Sequence, residues 1–357
     1  MCRLCAQILP EEAFAEKVLD IINGAAINQM LSLGHQSGLF DTLAGLEPAT
    51  SEAIAERAGL NERYVREWLG AMVVSGILVY DPDAALYHLP PSHAAFLTRD
   101  ASPNNLAVVA QFMPMLGTVE GGILECFRKG GGLRYEEYPG FHRVMAEDSG
   151  QSVVMNLFSH ILPLVDGLDA RLRDGIEVLD LGCGSGRALI AMAQRYPASR
   201  FVGYDLSHEA VGNARGEADR LQLGNIEFAV RDVSRLDDRD RFDLVTAFDA
   251  IHDQARPERV LAVVNEALKV DGVFLMVDIA ASSRLENNVG HPLAPTLYAI
   301  SCMHCMSVSL GQGGRGLGTV WGRELALSML QEAGFGRTEV HQLEHDIQNY
   351  YYVNRKA

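Results

Sequence analysis

Three glycines at alternate positions, Gly182, Gly184 and Gly186, follow the apolar run Val178-Leu179-Asp180-Leu181. A residue without Cβ lets the backbone come close to a ligand where a strand turns into a helix. The spacing is Gly-x-Gly-x-Gly, which differs from the Gly-x-Gly-x-x-Gly of dinucleotide-binding loops, and an amphipathic segment begins at Arg187. Acids then close a series of apolar runs: Asp205 after 200–204, Asp232 after 226–230, Asp249 and Asp253 after 242–247, Asp278 after 273–277. A carboxylate ending the second strand can accept from both hydroxyls of a ribose, which is the role expected of Asp205. Ser207 and Glu209 also signal a helix start there, so Asp205 doubles as a candidate cap. His252 stands beside Asp253 beyond the fourth run, and imidazole titrates near neutrality, as removal of a hydroxyl proton requires. A second cluster, Cys302-Met303-His304-Cys305, places two thiols on one helical face. It is either a soft-metal site or a buried helix in which sulfur fills irregular space.

Strands alternating with helical segments at this spacing predict an α/β domain with a parallel sheet covered on both faces. Ligands on such sheets lie at the carboxyl ends of the strands, where these acids fall. The alternating stretches 338–342 and 349–353 predict two antiparallel strands completing the sheet. Residues 1–130 read as a separate, mainly helical module. Segment 14–33 is amphipathic, Ser51 and Gly59 bound one short helix, and Asn61 caps the next, which carries Val65, Trp68 and Leu69. A hairpin-like stretch at 77–89 follows, giving a winged helix-turn-helix pattern. Gly130-Gly131-Gly132 predicts a flexible break, 131–170 a linker and helix, and 171–357 the sheet domain. The insertion 282–321 is too long for a simple connector and has the composition of a lid with glycine hinges.

The chain has 357 residues, 48% of them hydrophobic, and six cysteines without a short-domain framework, which predicts reduced thiols in a cytoplasmic protein. No apolar run approaches a membrane span, and the first residues lack the apolar region of a signal peptide. A net charge of −16 argues against a general nucleic-acid binder. In the second helix of the winged-helix pattern, Arg63 and Arg66 are matched by Glu62 and Glu67, whereas major-groove entry needs an unopposed basic surface. The pairs Cys2/Cys5 and Cys302/Cys305 lie too far apart for structural zinc, so no metal is assigned.

The glycine loop and the acids that follow resemble the motifs of class I S-adenosylmethionine-dependent methyltransferases. Over nearly its full length the chain resembles a bacterial family of methyltransferases with a winged-helix front domain. Phe141–Glu147, Ala250–Gln254, His304–Leu310 and Gly316–Gly322 carry that resemblance. It implies a Rossmann-like class I methyltransferase sheet binding S-adenosylmethionine and releasing S-adenosylhomocysteine. Gly182, Gly184 and Gly186 would pack on the amino-acid part of the cofactor, and Asp180 would hold the loop. Asp205 would take the ribose and Asp232 the adenine amine, with Leu206, Val233 and Phe248 beside them. Tyr138 and His142 lie in a segment that closes over the cofactor in two-domain methyltransferases. Cys183 is expected to be a small buried filler.

His252-Asp253 resembles the His-Asp pair of plant-type O-methyltransferases, which implies a general base. Gln254 replaces the tryptophan of that family. His304 and Cys305 are further catalytic candidates on the wall of an acceptor pocket. The expectation is therefore methyl transfer to a small, partly apolar hydroxyl acceptor by a homodimer joined through its front domain. S-methylation of a thiol is one alternative. A winged-helix regulator that senses S-adenosylmethionine is another.

Overall fold

The computed structural model describes residues 8–356. The Cys2/Cys5 pair lies outside the described residues. The chain divides into two compact units, the first ending at Pro114 and the second beginning at Met115. The helix Glu120–Lys129, which the sequence reading groups with the front module, therefore belongs to the second unit. No helix among the described residues is long and apolar enough to cross a membrane.

The first unit opens on a 27-residue helix, Glu11–Ser37, ended by Gly38 in the left-handed conformation. Helices Leu39–Ala44, Ser51–Ala58 and Glu62–Val74 follow, then strands β1 (Val79–Asp81) and β2 (Leu86–His88), which pair antiparallel as the wing. Thr50, not Ser51, caps the third helix: its hydroxyl accepts from the Ala53 amide, while the Ser51 hydroxyl donates to Glu62. Asn61 caps the next helix as expected. The core gathers Phe40, Ile54, Val65, Trp68, Leu69 and Met72. Gly34 lets two helices approach: a Cβ there would sit 2.5 Å from the Trp68 ring.

The second unit is built on seven strands: β3 (Glu177–Leu181), β4 (Arg200–Asp205), β5 (Ile226–Val230), β6 (Phe242–Phe248), β7 (Leu268–Ile279), β8 (Phe335–His341) and β9 (Asn349–Lys356). Their order is β5-β4-β3-β6-β7-β9-β8. The first five run parallel; β9 joins β7 antiparallel and pairs antiparallel with β8. This is a Rossmann-like sheet with the expected terminal hairpin. Side chains alternate across the sheet, so each central strand feeds both cores. Val178, Leu244, Val273 and Leu275 face one, with Leu189, Met192 and Val211. Leu179, Val245, Phe274 and Met276 face the other, with Val260, Val264 and Leu330. Chain order turns back on either side of β3, so the carboxyl ends of β3, β4 and β6 frame a crevice.

Gly132 is not a loose joint. A Cβ there would lie 1.9 Å from the Ser307 carbonyl oxygen, and the Leu133 amide donates to the Ser307 hydroxyl. Close packing, rather than freedom to bend, requires glycine at this position.

Candidate active site

The loop after β3 requires its glycines. Gly182, Gly184 and Gly186 have φ of 64°, 53° and 70°, in the left-handed region. A Cβ would also lie 2.6 Å from Ala250 Cβ at Gly182 and 2.5 Å from the Phe228 ring at Gly186. At Gly184 there is open space, and its amide donates to Asp205 Oδ2 over 2.9 Å. The Ser207 amide donates to Asp205 Oδ1 over 2.8 Å, and Ser207 itself caps the following helix. Asp205 thus holds the glycine loop while lining the cleft beside it.

Asp180 is buried beneath that loop and accepts from the Thr246 hydroxyl over 2.7 Å. Burial, with a smaller push from Asp205 and an opposing one from the Thr246 bond, raises its pKa to about 7. Cys183 also lines the cleft; burial and then the Asp180 and Asp205 carboxylates push its thiol well up, so it stays protonated. Leu206, Val233, Phe248 and His142 line the same cleft, and Ser207 Oγ lies 2.8 Å from His142 Nε2. Asp232 is not in this wall. It caps a short turn by accepting from the Ser234 amide and hydroxyl, and it pairs with Arg235.

Tyr138 also turns away from the cleft: it is buried and donates to the Met303 carbonyl over 2.7 Å. Tyr135, one turn earlier, faces the cleft and donates to Asp253 Oδ2 over 3.1 Å. Asp249 stands in the sequence only as one of the acids that close the apolar runs, with no role attached. It lines the cleft at a φ of 51°, and its Oδ1 has no hydrogen-bond partner. Burial and the nearby Asp278 drive its pKa well up. Only its place at the end of a strand could have marked it.

His252 is buried behind this wall. Its Nδ1 donates to Asp278 Oδ1 over 2.7 Å, and its Nε2 lies 3.3 Å from Asp253 Oδ1. Asp278 Oδ1 also accepts from the Trp321 indole and from the Ile279 amide, which fixes the carboxylate. Burial opposes the imidazolium, but the carboxylates of Asp278 and Asp253 outweigh it and raise the pKa well above the usual histidine value. His304 stacks on Phe141 with ring centroids 4.0 Å apart, and burial lowers its pKa to about 4, so it is neutral. The Cys305 thiol is pushed up to about 11 by burial and by Asp253. Neither His304 nor Cys305 lines the cleft; His304 packs against Tyr135 and Phe141, and Cys305 is buried beside His252 and Asp253.

The insertion that carries them holds helices Ala294–Ile300 and Met306–Gly311 joined by a π-helical turn. It is tied to the loop after β6 by Ser309 Oγ donating to the Gln254 carbonyl and the Arg315 amide donating to that of Ala255. At Gly314 a Cβ would lie 2.4 Å from Ala255 Cα, so this glycine serves close approach.

Asp148 and Asp180 join Asp249 as buried acids that set a pH dependence of stability. Asp148 is raised to about 6 by burial, then by Asp346 and Glu147, and Asp180 to about 7. A carboxyl whose pKa is raised on folding contributes stability that is full below its unfolded value and is lost as pH rises through the folded one. The ligand-free protein is therefore expected to lose stability between about pH 4 and pH 7. At pH 8 Asp148→Asn should be more stable than the parent by roughly 3 kcal/mol, with the difference vanishing near pH 4. Urea unfolding at both pH values measures it; an equal difference at both would refute the assignment.

Residues 25–99 match the family described as Rv2258c-like winged HTH domain, and residues 172–334 match the family described as Methyltransferase domain. (S)-coclaurine N-methyltransferase of Papaver somniferum is 29% identical over 107 residues, which span 30% of this chain and 30% of that one. The chain thus spans less than a third of that relative's length. Among solved structures, PigF with SAH is 20% identical at a TM-score of 0.70, covering 98% of this chain and 100% of that one. The mitomycin 7-O-methyltransferase MmcR is 19% identical at 0.67, covering 96% and 98%. At these identities the structural likeness bears on the fold.

Proposed function

From a chain that joins an N-terminal winged-helix domain to a class I methyltransferase domain, we infer transfer of the methyl group of S-adenosylmethionine to the hydroxyl of a small, partly apolar acceptor. The observation that carries this reading is the set of carboxyls around the glycine loop at the strand ends. Asp180, Asp205, Asp249 and Asp253 line the cleft there, against Arg187 and Arg231. A sulfonium bearing an ammonium group is a net cation; placed beside Asp180 and Asp249, whose pKa values burial raises, it favours their ionised form, and the cleft then favours it over its uncharged-sulfur product. Asp205 supplies acceptors for the ribose hydroxyls, and Leu206, Val233 and Phe248 supply apolar contact for the base. Asp232, engaged in its own turn, is left out of this assignment.

Methyl transfer needs the acceptor lone pair in line with the bond from methyl carbon to sulfur. A hydroxyl must also lose its proton. Asp253 turns one face to the cleft, and His252 lies behind it, between Asp253 and Asp278. One imidazolium between two carboxylates leaves a single buried negative charge in excess, and a proton from the acceptor relieves it. In this reading Asp253 meets the acceptor, His252 and Asp278 set its charge and position, and Tyr135 orients it. His304 backs the aromatic wall and Cys305 lies beside His252 and Asp253, rather than meeting the reacting atoms. The test is transfer of labelled methyl from S-adenosylmethionine to a panel of phenols, carboxylates, amines and thiols. Label confined to thiols or amines would overturn the hydroxyl assignment, and no label with the cofactor still bound would overturn methyl transfer.

For the winged-helix domain we propose dimerisation rather than DNA binding. Arg63 pairs with Glu67 and Arg66 with Glu62, which neutralises the cations on that helix. The first helix, by contrast, exposes Phe14, Val18, Ile21 and Ile22 at helical spacing. An apolar stripe of this kind is suited to pairing with a second copy. Phe14→Glu/Ile21→Glu is expected to convert a dimer to a monomer in sedimentation velocity. A dimer that survives both charges would place the interface elsewhere.

A further inference from the structure

We propose that His252, Asp253 and Cys305 form a binding site for a thiophilic divalent cation of the zinc class. A ring nitrogen of His252, a carboxylate oxygen of Asp253 and Sγ of Cys305 all lie within 4.8 Å of one another, and all three residues are buried. A tetrahedral zinc ion with bonds of about 2.0–2.3 Å sets its ligand atoms roughly 3.3–3.8 Å apart. The nitrogen and oxygen already meet that spacing at 3.3 Å, and the thiol would have to move by no more than about 1 Å. The donors are one imidazole, one carboxylate and one thiol, a borderline set that suits zinc better than magnesium or calcium. With the thiol ionised, the two anionic ligands neutralise the ion. A cation would displace two protons that the ligand-free site retains, one from the Cys305 thiol and one from the His252 imidazolium.

Two further observations point to a ligand. Asp253 Oδ1 is buried without a hydrogen bond, its charge met only by His252 Nε2 at 3.3 Å, and native interiors rarely leave such an oxygen without a donor. The outer contacts also have the form found around metal-bound histidine. Asp278 accepts from Nδ1, and so directs Nε2 toward the other two donors. Asp278 is itself held by Trp321 and the Ile279 amide, and the second oxygen of Asp253 by Tyr135. Asp253 lines the cleft, so the fourth position of the ion would open there. The thiol pair marked in the sequence is therefore divided: Cys305 joins His252 and Asp253, while Cys302 is not part of the cluster.

Binding of the ion stands independently of methyl transfer. Its consequence rests on the proton-acceptor reading above: an ion on Asp253 covers the carboxylate face that meets the acceptor, so transfer to a hydroxyl is inhibited. The full chain, stripped with chelator, is titrated with cobalt(II). The expected result is saturation at one equivalent, with visible bands of tetrahedral cobalt and a near-ultraviolet thiolate-to-cobalt band, both displaced by zinc. Cys305→Ser should lose the thiolate band while melting like the parent. Cys302→Ser and Cys2→Ser/Cys5→Ser should keep it. Absence of the band in the parent, or its survival in Cys305→Ser, would overturn the site. A zinc-loaded protein that methylates hydroxyls at the full rate would leave the site standing and overturn the role given to Asp253.

Discussion

His252→Gln is expected to lower kcat for hydroxyl methylation by about a hundredfold or more while changing cofactor affinity by less than about threefold. The split follows from position. His252 lies behind the cleft, between two carboxylates, and contributes no surface to its wall. Without the imidazolium, Asp253 and Asp278 face each other with no cation between them. Asp253 then loses the partner that fixes its position, so it no longer meets the acceptor in the geometry that proton removal needs. Single-turnover transfer and calorimetric binding of S-adenosylhomocysteine measure the two quantities separately. The affinity also reports whether the variant folds, since an unpaired buried charge destabilises by several kcal/mol. Equal losses in kcat and in affinity would assign His252 to the framework of the cleft instead. Full retention of kcat would remove the cluster from the chemistry.

Asp205→Ala is expected to act on the other quantity, weakening S-adenosylhomocysteine binding by a hundredfold or more. Hydrogen bonds to a charged partner contribute roughly 1.5–3 kcal/mol each, and two ribose hydroxyls would be lost together. The same carboxylate also accepts from the amides of Gly184 and Ser207, so the loop loses its anchor as well. Asp205→Asn separates these effects. It keeps one acceptor oxygen and turns an amino group toward one of the two amides, so it should restore only part of the affinity. Calorimetry across the three proteins checks the order. If alanine binds as tightly as aspartate, the ribose lies elsewhere and Asp205 serves only the loop.

Much of this site was legible because its signals are local. Glycines at positive φ and an acid at the end of each strand are consequences of one strand-to-helix turn repeated along the chain, and sequence records such turns directly. Asp232 shows the limit of that logic. It stands at the right position in the chain, yet its carboxylate accepts from Ser234 two residues on, a short-range bond that captures it. Tyr135 and Tyr138 show another. Both are aromatic residues of one short segment, and only the turn over 135–137 sends the first to the cleft and the second to Met303.

The sequence by itself determined the order of strands and helices, the terminal hairpin, the glycine loop after β3 and the acid that ends β4. Alternation, helical period and turn chemistry act over a few residues, and they leave their pattern in composition. Tertiary structure alone decided what surrounds His252. Asp278 comes from the end of β7 and Cys305 from an insertion, and neither stands near His252 in the chain. Their convergence arises because parallel strands end at one edge of the sheet and a long connection folds back over it. Contacts made across such distances leave no period in the sequence, so proton affinities and donor geometry emerge only when the chain is packed.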